Sequence, residues 1–339
     1  MRYRQAFAAA GLLLIAFGPA APAIGQDATK TSASMHSRAG QPENGAPSIE
    51  MAFNPPIGQV LRFRVTKTKF KDGKPTWPTP FTTVEELRFE RAGDGFILYW
   101  HIDPVSLPAV FEDSRLKPFL APMITPFTGE PYAIDLDSSG EPLRVRDWAA
   151  AKARIMRAVD AALCLYKTAK PADRAALAKA APTMRALFEN MDERAAAQLL
   201  LDNMVPLLGW GRFDMTIGET RTGEASLPIA LFHTSVKAEE LITLVSVDPG
   251  RSITLSDETR VDPEALRGFV ETFARQLGVT PTPTQKKELD ALRNFSMTNS
   301  SRMVFDLPTG LPIVFEARRG VSGSATSMPA ETRKVEWLR

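Results

Sequence analysis

Three histidines and one cysteine are the whole supply of imidazole and thiol in 339 residues. Chemistry that needs either group therefore has few places to sit. His36 falls in a polar, small-residue stretch, which leaves His101 and His233 as candidate bases or metal ligands. His101 alternates out of phase with Phe96, Leu98 and Trp100 and stands beside Tyr99 and Asp103, so it reads as a strand-surface side chain. His233 ends an apolar strand and reads as a satisfied core residue rather than a general base. Cys164 lies in the apolar helical run Ala161-Ala162-Leu163-Cys164-Leu165 with nothing electropositive nearby, which predicts a buried, inert thiol. A lone cysteine closes no intramolecular bridge, so packing must carry the stability.

The motif search returns mostly near misses. Ser114-Arg115-Leu116-Lys117 spells a serine–lysine motif, but Pro118 follows at once where that motif needs a helix start, and its partner motifs do not follow in order. Asp135, Asp137 and Ser139 with Gly140 open like a calcium loop. Arg146 occupies the twelfth position, where a bidentate glutamate belongs, so a plain hairpin turn is expected there. Gly209-Trp210-Gly211 begins like a dinucleotide loop, but Asp214 stands in place of the third glycine. No G-x-S-x-G, H-E-x-x-H or C-x-x-C occurs. The residues thus assign no catalytic group, no cofactor-binding group and no metal ligand, and they favour a protein that is not an enzyme. A hydrolase working through a carboxylate pair stays open, because 39 acidic residues offer many pairs that the sequence does not reveal.

Behind these side chains, period-two alternation dominates. Leu61, Phe63 and Val65 alternate with Arg62, Arg64 and Thr66, the pattern of a strand with one face on a core. Strands over 84–91 and 96–103 flank Ala92-Gly93-Asp94-Gly95 as a hairpin, and 132–136 and 143–146 flank Asp137-Ser138-Ser139-Gly140 as another. The proline-rich segment 104–130 has no regular period and is expected to be a long connection or a flap. Later strands are expected over 212–222, 227–236, 240–247, 252–260, 295–305, 311–318 and 334–338.

Between the two sets of strands the period changes. Asp147 fits an N-cap, and 147–205 reads as two to four short helices, with Ile155, Met156, Val159, Leu163 and Tyr166 on one face and with Pro171 and Pro182 as helix starts. These helices are expected to cover an apolar face of the sheet. Strands such as 241–247, apolar on both faces, are expected to need a second layer. Asp262-Pro263 predicts a further helix start, with Leu266, Phe269, Val270, Phe273 and Leu277 as its stripe.

The N-terminus has the three parts of a secretory signal: Arg2 and Arg4, the apolar run 6–17, and small residues with Pro19 and Pro22. The prolines interrupt the run short of the ~20 apolar residues that a spanning helix wants, so cleavage is expected near Ile24 or Gln26, with no membrane anchor retained. The expected organisation is a signal peptide over 1–25, a disordered tether over 26–48, and one α+β domain over 49–339 with the helical insertion 147–205. Loss of 1–25 takes away Arg2 and Arg4 and no acid, so 41 basic residues become 39 against 39 acidic. A net-neutral domain has no general attraction for nucleic acid or an anionic membrane surface. The expected location is the periplasm or the cell exterior.

Two segments echo each other. Residues 134–143 and 305–313 both run strand, Asp-Leu, glycine turn, proline, strand. Meanders of such hairpins behind a signal peptide look like uncharacterised exported bacterial proteins of β-meander type. More distantly, they resemble the half-barrels of periplasmic lipoprotein carriers. The resemblance implies a curved antiparallel sheet with helices against its concave face, able to hold an acyl chain or an apolar peptide. It transfers no functional residue. Two function classes follow: a non-catalytic binding or carrier protein for an apolar small molecule, lipid or envelope protein, and a hydrolase of an envelope polymer. A pocketless scaffold, binding a protein through 104–130 or the inserted helices, is the third.

Overall fold

The computed structural model describes residues 51–71, 74–76, 80–106, 117–164, 171–202, 204, 208, 215–229, 234–276, 296–322 and 330–339. The signal and tether readings fall outside these residues, as do Ser114, His233, Tyr166 and the loop 209–214. The described strands are β1 (Val60–Lys71), β2 (Lys74–Pro75), β3 (Phe81–Ala92), β4 (Gly95–Ile102), β5 (Tyr132–Leu136), β6 (Pro142–Val145), β7 (Thr220–Ile229), β8 (Thr234–Asp248), β9 (Ser252–Val261), β10 (Ser296–Asp306), β11 (Leu311–Ser322) and β12 (Ala330–Leu338). They form one open antiparallel sheet in the order β6-β5-β4-β3-β1-β12-β11-β10-β9-β8-β7, with β2 paired to β1. The helices are α1 (Lys117–Thr128), α2 (Trp148–Cys164), α3 (Pro171–Glu189), α4 (Glu193–Leu200) and α5 (Pro263–Gln276). This is the α+β class that the alternating strands predict, with the open, half-barrel-like sheet that the resemblance implies.

The sheet is two meanders joined back to back. One steps outward from β1 to the β6 edge, the other steps inward from the β7 edge to β12, and β12 zips onto β1 with Val65 opposite Val335. Helices α2, α3 and α4 occupy the stretch of chain between the two edges. Ile155, Val159, Phe188 and Leu200 from these helices share one buried core with Phe63, Leu98, Leu255 and Phe315 of the sheet. The expectation that the insertion covers an apolar sheet face is therefore met.

The opposite face is a solvated ladder of charges: Glu86 pairs with Arg62 at 3.1 Å and with His101 at 3.3 Å, and Arg260 pairs with Glu258 at 2.7 Å. His101 is thus a strand-surface residue. Val245, on the outward side of 241–247, is exposed, and a single exposed valine is an ordinary surface feature.

One end of the sheet is closed by the segment before β1. Phe53 is buried and packs edge-on against Phe89 and Phe96. The turns of the two echoing hairpins abut this segment. Gly140 (φ 92) faces the Phe53 ring and Gly310 (φ 66) faces the Ala52 carbonyl, where an added Cβ would fall within 2.5 Å of the oxygen. A glycine is required at Gly310 for both its left-handed backbone and this approach.

Four expectations need correction. Cys164 is exposed: it lies nine residues beyond Ile155, half a turn out of phase at 100° per residue, so it points away from the buried stripe of Ile155, Val159 and Ala162. Within segment 104–130, where the sequence shows no regular period, 117–128 is helical despite Pro122 and Pro126. Proline is tolerated in a first turn, so Pro118 does not prevent Lys117 from beginning that helix. Pro182 lies inside α3 rather than at a helix start. Finally, the breaks between strands expected at 223–226 and 237–239 do not occur, because β7 and β8 run through them.

Two caps match the expectation in part. Asp262 accepts the Glu264 amide at 2.9 Å and starts α5, whose apolar-stripe side chains lie outside the described residues. Asp147 holds the cap position, its carbonyl accepting the Ala151 amide at 3.0 Å, but with a left-handed φ of 50° that aspartate tolerates better than most residues.

Candidate functional site

The covered face of the sheet divides across its middle. Leu61, Phe63 and Val65 on β1 give way, at the same inward-facing positions, to Lys67 and Lys69. Val335 on β12 gives way to Arg333 and Glu331, and Phe315 on β11 to Ala317 and Arg319. Met303 on β10 gives way to Ser301 and Asn299, and Leu255 on β9 to Asp257 and Thr259. On β3 the switch is from Leu87 to Glu85 and Thr83. From β1 through β12 to β9 these changes fall in register as a polar belt beside the apolar half, interrupted by Ala317, while on β3 the change comes two positions sooner, with Glu85 opposite Phe63 and Thr83 opposite Val65.

Folding alone would make this face apolar throughout, yet Glu85 is 1% exposed, Arg333 4% and Glu331 8%. Arg333 has a structural task. Its guanidinium donates to the Asp202 carbonyl at 3.0 Å and to the Asp202 carboxylate at 3.2 Å, just beyond the end of α4. A cation on those carbonyls satisfies the helix terminus and ties the helical layer to β12. Glu85 accepts the Trp100 indole N–H at 2.7 Å.

The lysines are different. Lys67 Nζ stands 3.8 Å from the Asp202 carboxylate, and Lys69 Nζ stands 3.8 Å from Glu331. Both separations allow attraction but lie outside hydrogen-bond length. Burial first, and then the neighbouring Arg333, pull Lys67 down to about 8. Burial likewise lowers Lys69. Burial also raises Asp202 against the pull of Arg333 and Lys67. Both partners of the Lys67–Asp202 pair are thus pushed toward neutrality, so loss of hydration outweighs their attraction. For Glu331 the balance reverses: burial opposes its charge, but Arg333, Arg319, Lys67 and Lys69 together hold its carboxyl below the usual range.

At the β8–β9 side the belt is acidic. Glu240 faces Thr259 across the pair, and Asp257 faces Ile242. Burial, with repulsion from Asp257, raises Glu240 to about 7. Burial raises Asp257 to about 6, although the Ser301 hydroxyl partly offsets it. Ser301 donates to Asp257 at 3.4 Å, while the other Asp257 oxygen and the Thr259 hydroxyl are buried with no hydrogen-bond partner among the described residues.

The motif residues singled out in the sequence are not brought here. Asp137 is consumed by its own turn, accepting from the amides of Ser139 at 2.8 Å and Glu141 at 2.9 Å, and Asp135 pairs with Arg144 at 2.9 Å on the surface. That is a hairpin turn whose Asp137 carboxylate is taken up by the turn's own amides. Among the described residues no cluster of three or more metal-ligating side chains occurs, and no helix is long and apolar enough to cross a membrane. The belt was missed in the sequence because lysines and aspartates that follow an alternating apolar run read as fraying ends of strands. The available signal was parity: Lys67 and Lys69 keep the phase of Leu61, Phe63 and Val65. No protein-family model matches the chain, and no curated protein matches its sequence.

Proposed function

We propose that the chain is an exported, periplasmic or secreted protein that binds or carries an apolar ligand without transforming it. The observation that carries this reading is the divided inner face, apolar under the helices and continuous with a belt of buried ionisable groups. Buried ion pairs add little to stability compared with apolar packing, so a belt of them across a protein's inner face argues for a ligand. A surface with an apolar half and a few converging polar groups is the usual character of a small-molecule site. The open sheet with helices on one face agrees with the shape implied by the resemblance to lipoprotein-carrier half-barrels.

The test is binding of a neutral apolar dye such as Nile red, followed by fluorescence and competed with a fatty acid. Saturable binding with competition is expected. If no apolar probe binds the folded protein, the scaffold reading replaces this one.

One observation favours the hydrolase reading as second choice. Glu240 and Asp257 are diagonal neighbours on adjacent strands. That places them ~7–8 Å apart, within the ~6.5–9.5 Å range of an inverting glycosidase pair. Turnover of an envelope polysaccharide that is abolished by Asp257→Asn would establish it over the carrier.

A further inference from the structure

The two lysines of the belt have a use that the rest of the structure leaves unfilled. An ammonium group carries three N–H donors and, when taken out of water, needs acceptors for them. Lys67 and Lys69 project from one face of β1, two positions apart, and so lie side by side on the sheet. The nearest carboxylate to each stands at 3.8 Å, and among the described residues neither makes a hydrogen bond. Their side chains are 17% and 23% exposed, neither sealed in the core nor free in solvent. The acids beside them are engaged elsewhere: Asp202 and Glu331 both accept from Arg333.

Arg333 closes to hydrogen-bond length on Asp202, and the lysines do not. Two adjacent, half-shielded ammonium groups held short of their nearest acids form instead a receptor for an acceptor that comes from outside. We infer that Lys67 and Lys69 take the anionic group of the ligand, a carboxylate or a phosphate, whose oxygens lie between the two ammonium groups while the apolar remainder turns toward the covered half of the sheet. This rests on the carrier reading and adds the class of ligand: an acidic amphiphile rather than a neutral one.

The experiment compares laurate, 1-dodecanol and inorganic phosphate on the full chain, by calorimetry and by competition with Nile red. Laurate is expected to bind about tenfold or more tightly than dodecanol, the worth of a charged hydrogen bond or two. The double variant Lys67→Met/Lys69→Met is expected to bring laurate down to the level of dodecanol. Lys67→Arg/Lys69→Arg, which keeps both charges, is expected to retain the preference and guards against a variant that merely misfolds. Equal binding of laurate and dodecanol by the unaltered protein overturns the inference and leaves the carrier reading standing. If neither amphiphile nor the dye binds, the carrier reading falls, and phosphate decides the lysines. A melting temperature raised by phosphate in the unaltered protein but not in the methionine variant keeps them as an anion site; no rise in either overturns it.

Discussion

Asp257 and Glu240 are the side chains whose ionisation bears most directly on stability. Burial lifts both well above their unfolded values, Asp257 to about 6 and Glu240 to about 7. Between roughly pH 4 and pH 7 the folded chain therefore binds more protons at these sites than the unfolded chain does. Their contribution is most favourable below the unfolded values and is lost as pH rises through 6 and 7. The loss is on the order of a few kcal/mol once both are ionised. Urea denaturation should show the unaltered protein losing stability from pH 5 to pH 8, and Asp257→Asn/Glu240→Gln should flatten that slope. An identical slope in the variant would place the pair in water rather than under cover. Lys67, pulled down to about 8, works in the opposite sense at higher pH, where stability it withholds while charged is regained as it deprotonates. Comparison with the variant isolates the acids from it. The sequence concealed these residues for one reason: an inward-facing charge breaks the hydrophobic alternation by which a strand is recognised, so Glu240 looked like the end of a strand that in fact runs from Thr234 to Asp248.

Elements with a strong period were legible. The β1, β3–β4 and β5–β6 alternations, the Asp262 cap and the buried stripe of α2 all follow from residue spacing. Helix α1 did not, because proline rules weigh each Pro separately. Pro118, Pro122 and Pro126 recur every four residues, so their missing donors fall on one side of the helix. Near its end, the Pro126 carbonyl takes the Tyr132 hydroxyl at 3.1 Å and the Arg154 guanidinium at 2.7 Å. Phe127, stacked on Tyr132 and edge-on to Trp100, anchors the helix through packing that propensity does not count. The stripe of α2 gives the test at this scale. Ile155→Ala should cost about 2–5 kcal/mol, and Val159→Ala somewhat less, because neither cavity can collapse between helix and sheet. Loss below about 0.5 kcal/mol for the pair, read from denaturant midpoints, would put α2 outside the core.

For the molecule as a whole, β12 is the keystone of the sheet. It pairs with β1 on one side and β11 on the other, and it carries Val335 into the apolar half and Arg333 and Glu331 into the belt. Removal of 330–339 would bare two long strand edges in mid-sheet and release the end of α4 from Arg333. The truncated chain should lose its cooperative thermal transition and elute as aggregate in size-exclusion chromatography. A monomer with an unchanged transition would mean that the two meanders are stable apart.

The union of β1 with β12 also sets an order in time. Each meander can form its hairpins from neighbouring segments, but the first strand of the sheet has no partner on its β12 side until the last strand has arrived. Closure is thus a late event with a large loop entropy to overcome, and until then β1 and β11 offer open edges to any other chain. A polypeptide threaded through a membrane from its N-terminus would stay unlocked until β12 emerged. The pairing that makes the sheet continuous would keep the chain pliable during passage and in need of shelter from other unfolded chains just after it.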